Sequence, residues 1–131
     1  MGRKRVGNLT VKKYLVAIPV PCLDRNGRKL IRGRVEKWVR MAEMELTECF
    51  GGATPIPSSG TNIIEGKILY ESGQMLVHST CESRTEFLRN RNRIQAFVER
   101  MGRDLDQKFV FVLACPSDSF LIEIEMRSRS K

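Results

Sequence analysis

The chain has 131 residues, 41% of them hydrophobic and 29% charged, with a formal net charge of +8. That length supports one hydrophobic core without disulfide or metal staples, and the composition excludes a chain disordered throughout. The basic balance points to anionic partners, nucleic acid or an acidic protein, and is silent on fold.

Residues 1–12 carry Arg3, Lys4 and Arg5 with little to bury, which reads as a flexible basic arm. A single α+β domain is expected over 13–126, and Arg127 to Lys131 forms a short basic tail. Lys13 to Val20 is almost continuously apolar and predicts a buried strand, which Pro19 and Pro21 push toward an edge or a turn. Asp24-Arg25-Asn26-Gly27 has turn chemistry. Val35, Trp38, Val39, Ala42, Leu46, Cys49 and Phe50 then recur at helical spacing, and Gly51-Gly52 ends that helix.

Ala53 to Ile64, broken by Pro55 and Pro57, predicts a short irregular strand before a turn at Glu65-Gly66-Lys67. Lys67 to Thr80 is a long extended run, with Gly73 marking a bulge. Ser83 and Glu86 have capping-box spacing and open a second amphipathic helix carrying Phe87, Ile94, Val98, Met101 and Leu105. Lys108 to Cys115 predicts a buried strand. After a turn at Pro116 to Ser119, Phe120 to Met126 alternates as the second arm of a hairpin. The expected fold is thus a ferredoxin-like βαββαβ antiparallel sheet with two helices on one face, plus an extra C-terminal strand.

The stretch from Leu46 to Thr54, with Phe50, Gly51, Gly52 and Thr54 followed by Gly60, Gly66 and Glu71, resembles a loose group of short uncharacterised bacterial proteins. These share a helix ending in an FGG-x-T motif. The resemblance implies no assigned activity and no cofactor. Physically, Phe50 anchors the helix end and the glycines turn the chain.

Four dispersed cysteines and one histidine match no zinc spacing and no disulfide framework, so reduced thiols, no metal, no cofactor and a cytoplasmic location are expected. No apolar run approaches the ~20 residues of a membrane span. Three functions remain. The first is a non-enzymatic basic module in which Arg28, Lys29, Arg32, Arg89, Arg91 and Arg93 gather on one helical face as phosphate contacts for nucleic acid. The second is a small enzyme using Glu71 and His78 as base and acid in a shared pocket. The third is an oligomerisation protein, because strands this apolar ask for cover on the sheet face that the helices leave open. A second copy of the chain, in a homodimer or higher oligomer, is the expected cover. Glu123 and Glu125 share a strand face and would hold Mg²⁺ only with a third oxygen ligand.

Overall fold

The computed structural model describes residues 5, 6 and 9–124. Its elements run β1 (Arg5–Val6), β2 (Leu9–Val20), α1 (Arg32–Phe50), β3 (Thr54–Ile64), β4 (Lys67–Cys81), α2 (Arg84–Asp104) and β5 (Leu113–Ile122). The sheet is antiparallel. β2 is central, with β4 then β3 on one side and β5 on the other, and β1 folds back on β2 as a short hairpin. Setting β1 aside, this is the ferredoxin-like order that the sequence predicts.

Both helices lie on one face. The even-numbered residues Val16, Ile18 and Val20 of β2 and Val77 of β4 are buried beneath Trp38, Leu46, Phe97 and Met101 in one cluster. The Trp38 and Phe97 rings meet edge to face at 5.7 Å, which fastens α1 to α2. Ser83 caps α2, its side chain accepting from the Glu86 amide, while the Glu86 carboxylate accepts from the Glu82 amide at 2.8 Å. Phe50 is buried, and Gly51, at φ 92, ends α1 in a conformation that other residues adopt only with strain.

The structure departs from the sequence-based expectation at three places. β2 begins at Leu9 and not Lys13, because β5 pairs with it out to Leu9↔Ile122. The expected C-terminal hairpin is one strand. The register shift between Lys12 and Tyr14 absorbs Pro116 to Ser119 as a bulge, and the Ser119 hydroxyl donates to the Lys12 carbonyl at 2.7 Å. The extra strand is therefore N-terminal β1, while 107–112 leaves the sheet to run beside α2, where Val110 Cγ2 lies 3.3 Å from where a Gly102 Cβ would sit. Finally, β3 is regular and long. Its prolines Pro55 and Pro57 are two residues apart, so both lack their amide on the same, outer edge of the sheet. The bulge expected at Gly73 is present, with φ 95. The arm residues 1–4, the tail 127–131 and Glu125 lie outside the described residues.

Candidate functional site

The six cations expected to form one surface do not gather. Arg34 of α1 pairs with Asp104 near the end of α2, and Arg93 of α2 reaches Glu45 (2.6 Å) and Glu48 near the end of α1. The helices are therefore antiparallel. Arg28, Lys29 and Arg32 lie at the start of α1, while Arg89, Arg91 and Arg93 lie near its end, about 20 Å away at 1.5 Å per helical residue. Arg93 is further removed as a phosphate contact by its two carboxylates, whose hydrogen bonds push its pKa still higher. Arg32 pairs with Glu36 at 2.9 Å in water. Arg28, Lys29, Arg89 and Arg91 are exposed and make no ion pair among the described residues.

Glu71 and His78 are also separated. They sit on β4 seven residues apart, roughly 20 Å along an extended strand. His78 faces Ala17 and Thr54 and lines a small cleft of about 270 Å³ beside Gly51 and Gly52. Glu71 lies opposite Gly60, beyond the bulge, where two larger clefts of about 460 and 480 Å³ meet. None of these clefts holds both, and at that separation along one strand Glu71 and His78 do not meet as base and acid, contrary to the sequence-based expectation.

What remains at Glu71 is a built arrangement. The loop after β2 crosses above it, and the Cys22 amide donates to the Glu71 carboxylate at 3.2 Å, with the Leu23 amide also favouring its charged form. Burial pushes the Glu71 pKa above its ordinary value, and those two amides pull against that rise. The Cys22 thiol donates to the Ser72 carbonyl at 3.1 Å, and burial followed by the Glu71 charge pushes its pKa up too. This thiol is therefore a spacer in the loop and not an activated nucleophile.

The walls of the 460 Å³ cleft come from segments distant in sequence. Pro19 lies near the end of β2 and Pro21 just after it, Gln74 and Leu76 belong to β4, and Phe109 and Phe111 lead into β5, which opens with Leu113. Phe109 and Phe111 are 82% and 74% exposed, unusual for rings in a chain with only six phenylalanines. Reading 108–115 as a buried strand hid them, although the alternation F-V-F-V already placed both rings on one side. A half-buried carboxylate beside apolar and aromatic walls, in a volume within the ordinary range of about 300–1,000 Å³ for small-ligand sites, suits a ligand with a flat apolar part and hydrogen-bond donors. Among the described residues no group of three or more His, Cys, Asp or Glu side chains is placed to hold a metal, and no helix is long and apolar enough to cross a membrane.

No family model matches the chain, and no curated protein matches it. Solved structures do. A phage SAM lyase in complex with S-methyl-5'-thioadenosine is similar with a TM-score of 0.58 and 13% identity, over 94% of this chain and 97% of that one. A phage SAM lyase in its apo state gives 0.55 and 15%, over 97% and 100%. The divalent cation tolerance protein CutA1 from Thermus thermophilus gives 0.48 and 12%, over 80% and 84%. At these identities the likeness to the lyase structures establishes a shared ferredoxin-like fold along nearly the whole chain.

Proposed function

We propose that this chain binds an adenosine-derived sulfonium or thioether in the cleft at Glu71 and cleaves a carbon–sulfur bond there, as an S-adenosylmethionine lyase. The observation that carries the reading is the Glu71 carboxylate, anchored on backbone amides where two clefts meet beneath Phe109 and Phe111. The rings and prolines offer flat apolar surface to a purine. The carboxylate oxygens accept hydrogen bonds, the role an acidic side chain takes toward ribose hydroxyls in nucleotide sites. In the reaction the substrate's own methionyl carboxylate attacks the γ-carbon, so that a lactone C–O bond forms as the C–S bond breaks and its electron pair stays on sulfur, leaving a neutral thioether and a lactone with no other reactant consumed. Because positive charge is lost on that path, a carboxylate facing the sulfur would favour the substrate over the transition state. Glu71 is thus assigned to the ribose and not to the sulfur. The lyase structure that holds S-methyl-5'-thioadenosine supports the ligand class, at the level of fold.

Self-association is part of the proposal. The sheet face away from the helices carries Ile56, Leu113 and Phe120 in the open, and the β3–β4 hairpin extends past β2 with exposed Ile63, Ile68 and Tyr70. Copies of the chain are the proposed cover, as a homo-oligomer.

Calorimetric titration with S-methyl-5'-thioadenosine, and chromatography of S-adenosylmethionine incubated with the protein, test the proposal. Binding and release of the thioether are expected from the wild type, and Glu71→Gln should weaken binding by roughly tenfold or more, the effect of losing about one charge-assisted hydrogen bond. Absence of both binding and turnover ends the reading. A second reading rests on the exposed Arg28, Lys29, Arg89 and Arg91. Duplex DNA binding that weakens steeply with salt, retained in Glu71→Gln, would favour it instead.

A further inference from the structure

We propose that Gln107 is a positioning residue for Glu71: its carboxamide holds the Leu23 carbonyl, and so fixes the loop whose amides bind the Glu71 carboxylate. The inference rests on the reading of Glu71 as a site residue, and it concerns how that carboxylate is held.

The tie begins at the end of α2. The Gln107 amide donates to the Gly102 carbonyl at 2.8 Å and the Asp106 amide to the Arg103 carbonyl at 3.3 Å, with Asp106 at φ 52. This is a Schellman closure with aspartate in the left-handed position where glycine is usual. It fixes the direction in which the Gln107 side chain leaves the helix. That side chain crosses to the loop after β2, its Nε2 donating to the Leu23 carbonyl at 2.6 Å and to the Leu105 carbonyl at 2.9 Å. On the far side of the same loop, the Cys22 amide donates to Glu71 at 3.2 Å. One carboxamide therefore joins a helix end, a loop and the carboxylate through two hydrogen bonds in series. Gln107 also lines three clefts, including both that meet at Glu71.

A second tie runs alongside. The Arg25 amide donates to the Asp106 carbonyl, and its guanidinium pairs with the Asp106 carboxylate, both at 2.8 Å. Both side chains of that pair are about half exposed, so water screens it. The Gln107 bond is part-buried, and its loss leaves the Leu23 carbonyl without the donor that desolvation makes costly to remove. Gln107 is therefore the tie whose removal should let the loop drift. Once the Cys22 and Leu23 amides move off, the burial of Glu71 acts unopposed and the carboxyl holds its proton to higher pH. The other charged or titratable groups bordering Glu71 are Cys22, Asp24 and Arg25 in the loop, Glu65 in the β3–β4 turn, and Lys108 beside Gln107. None of these groups is replaced in the Gln107 variants, and the three in the loop move together with its amides.

The test follows the Glu71 carboxyl carbon by NMR through a pH titration, with no ligand needed. Gln107→Leu should move the Glu71 midpoint upward. Gln107→Asn, one carbon shorter but still a donor, should move it less and serves if the leucine variant folds poorly. Arg25→Ala should move it least. Gln107→Leu should bind S-methyl-5'-thioadenosine roughly tenfold more weakly where its Glu71 carboxyl is protonated, and the deficit should shrink as pH rises and the carboxylate recovers its charge. An unchanged Glu71 titration in both Gln107 variants overturns the proposal. If the wild type binds no thioether, the ligand reading falls while the titration still decides the role of Gln107.

Discussion

The two faces of the sheet are built to different rules. On the helix side, Val16, Ile18, Val77, Phe97 and Met101 are sealed, and polar groups at its margin are paired, as the Trp38 indole is with Asp104 at 2.6 Å. On the other side the apolar residues stand in the open, and three irregular stretches of backbone meet at one end: the Gly73 bulge, the segment 107–112 and the loop at Cys22. The sealed face explains why the chain folds. The open face, with Glu71 at its end, is where its residues are still available for something else. Stability and proposed function therefore occupy different surfaces of the same strands.

Substitutions should separate the two faces. The largest effect is expected from Phe97→Ala, which empties a 1% exposed position between the helices and should cost about 3–5 kcal/mol, read as a fall in the denaturant midpoint. Phe120→Glu, on the open face opposite Val11 and distant from Glu71, should leave the circular dichroism spectrum intact but shift the sedimentation profile to monomer. A wild type that sediments as a monomer would refute the proposed assembly. Gly51→Ala comes next, at about 1 kcal/mol, because a Cβ must then adopt the left-handed conformation at the end of α1.

The sealed face was legible in the sequence and the open face only in part. Helical periodicity located α1 and α2, the Ser83–Glu86 spacing located a cap, and Gly73 announced its bulge, because each signal is local. β5 misled because Pro116 to Ser119 has the composition of a turn, and only pairing with residues far earlier in the chain, Ser119 with Lys12 among them, converts it into a bulge. The cation set misled for a related reason: charge density along the chain cannot tell whether two helices run parallel or antiparallel, and it was Arg93 and Arg34 that revealed the direction. Glu71 was singled out from sequence without its environment. Gln107, whose Leu23 contact spans 84 positions, left no local signal.

The smallest effect distinguishes a carboxylate kept for function from one kept for the fold. Burial raises the Glu71 pKa in the folded protein above the ordinary 4.5 of the unfolded chain. As pH rises from that ordinary value to the folded one, the unfolded chain sheds the proton first, so stability falls across the window and stays lower above it. Gln carries no such charge yet can still accept from the two loop amides. Glu71→Gln should therefore raise the melting temperature at pH 7, with the gain disappearing below about pH 4, where both side chains are neutral. The shift should be modest, since Glu71 is only half-buried and water screens it. A variant that is more stable but binds the thioether less well would place Glu71 among residues retained at the expense of stability. A variant less stable at pH 7, with the deficit disappearing below about pH 4, would instead mean that the amide bonds to the charged carboxylate outweigh its burial, making Glu71 a fastening of the loop.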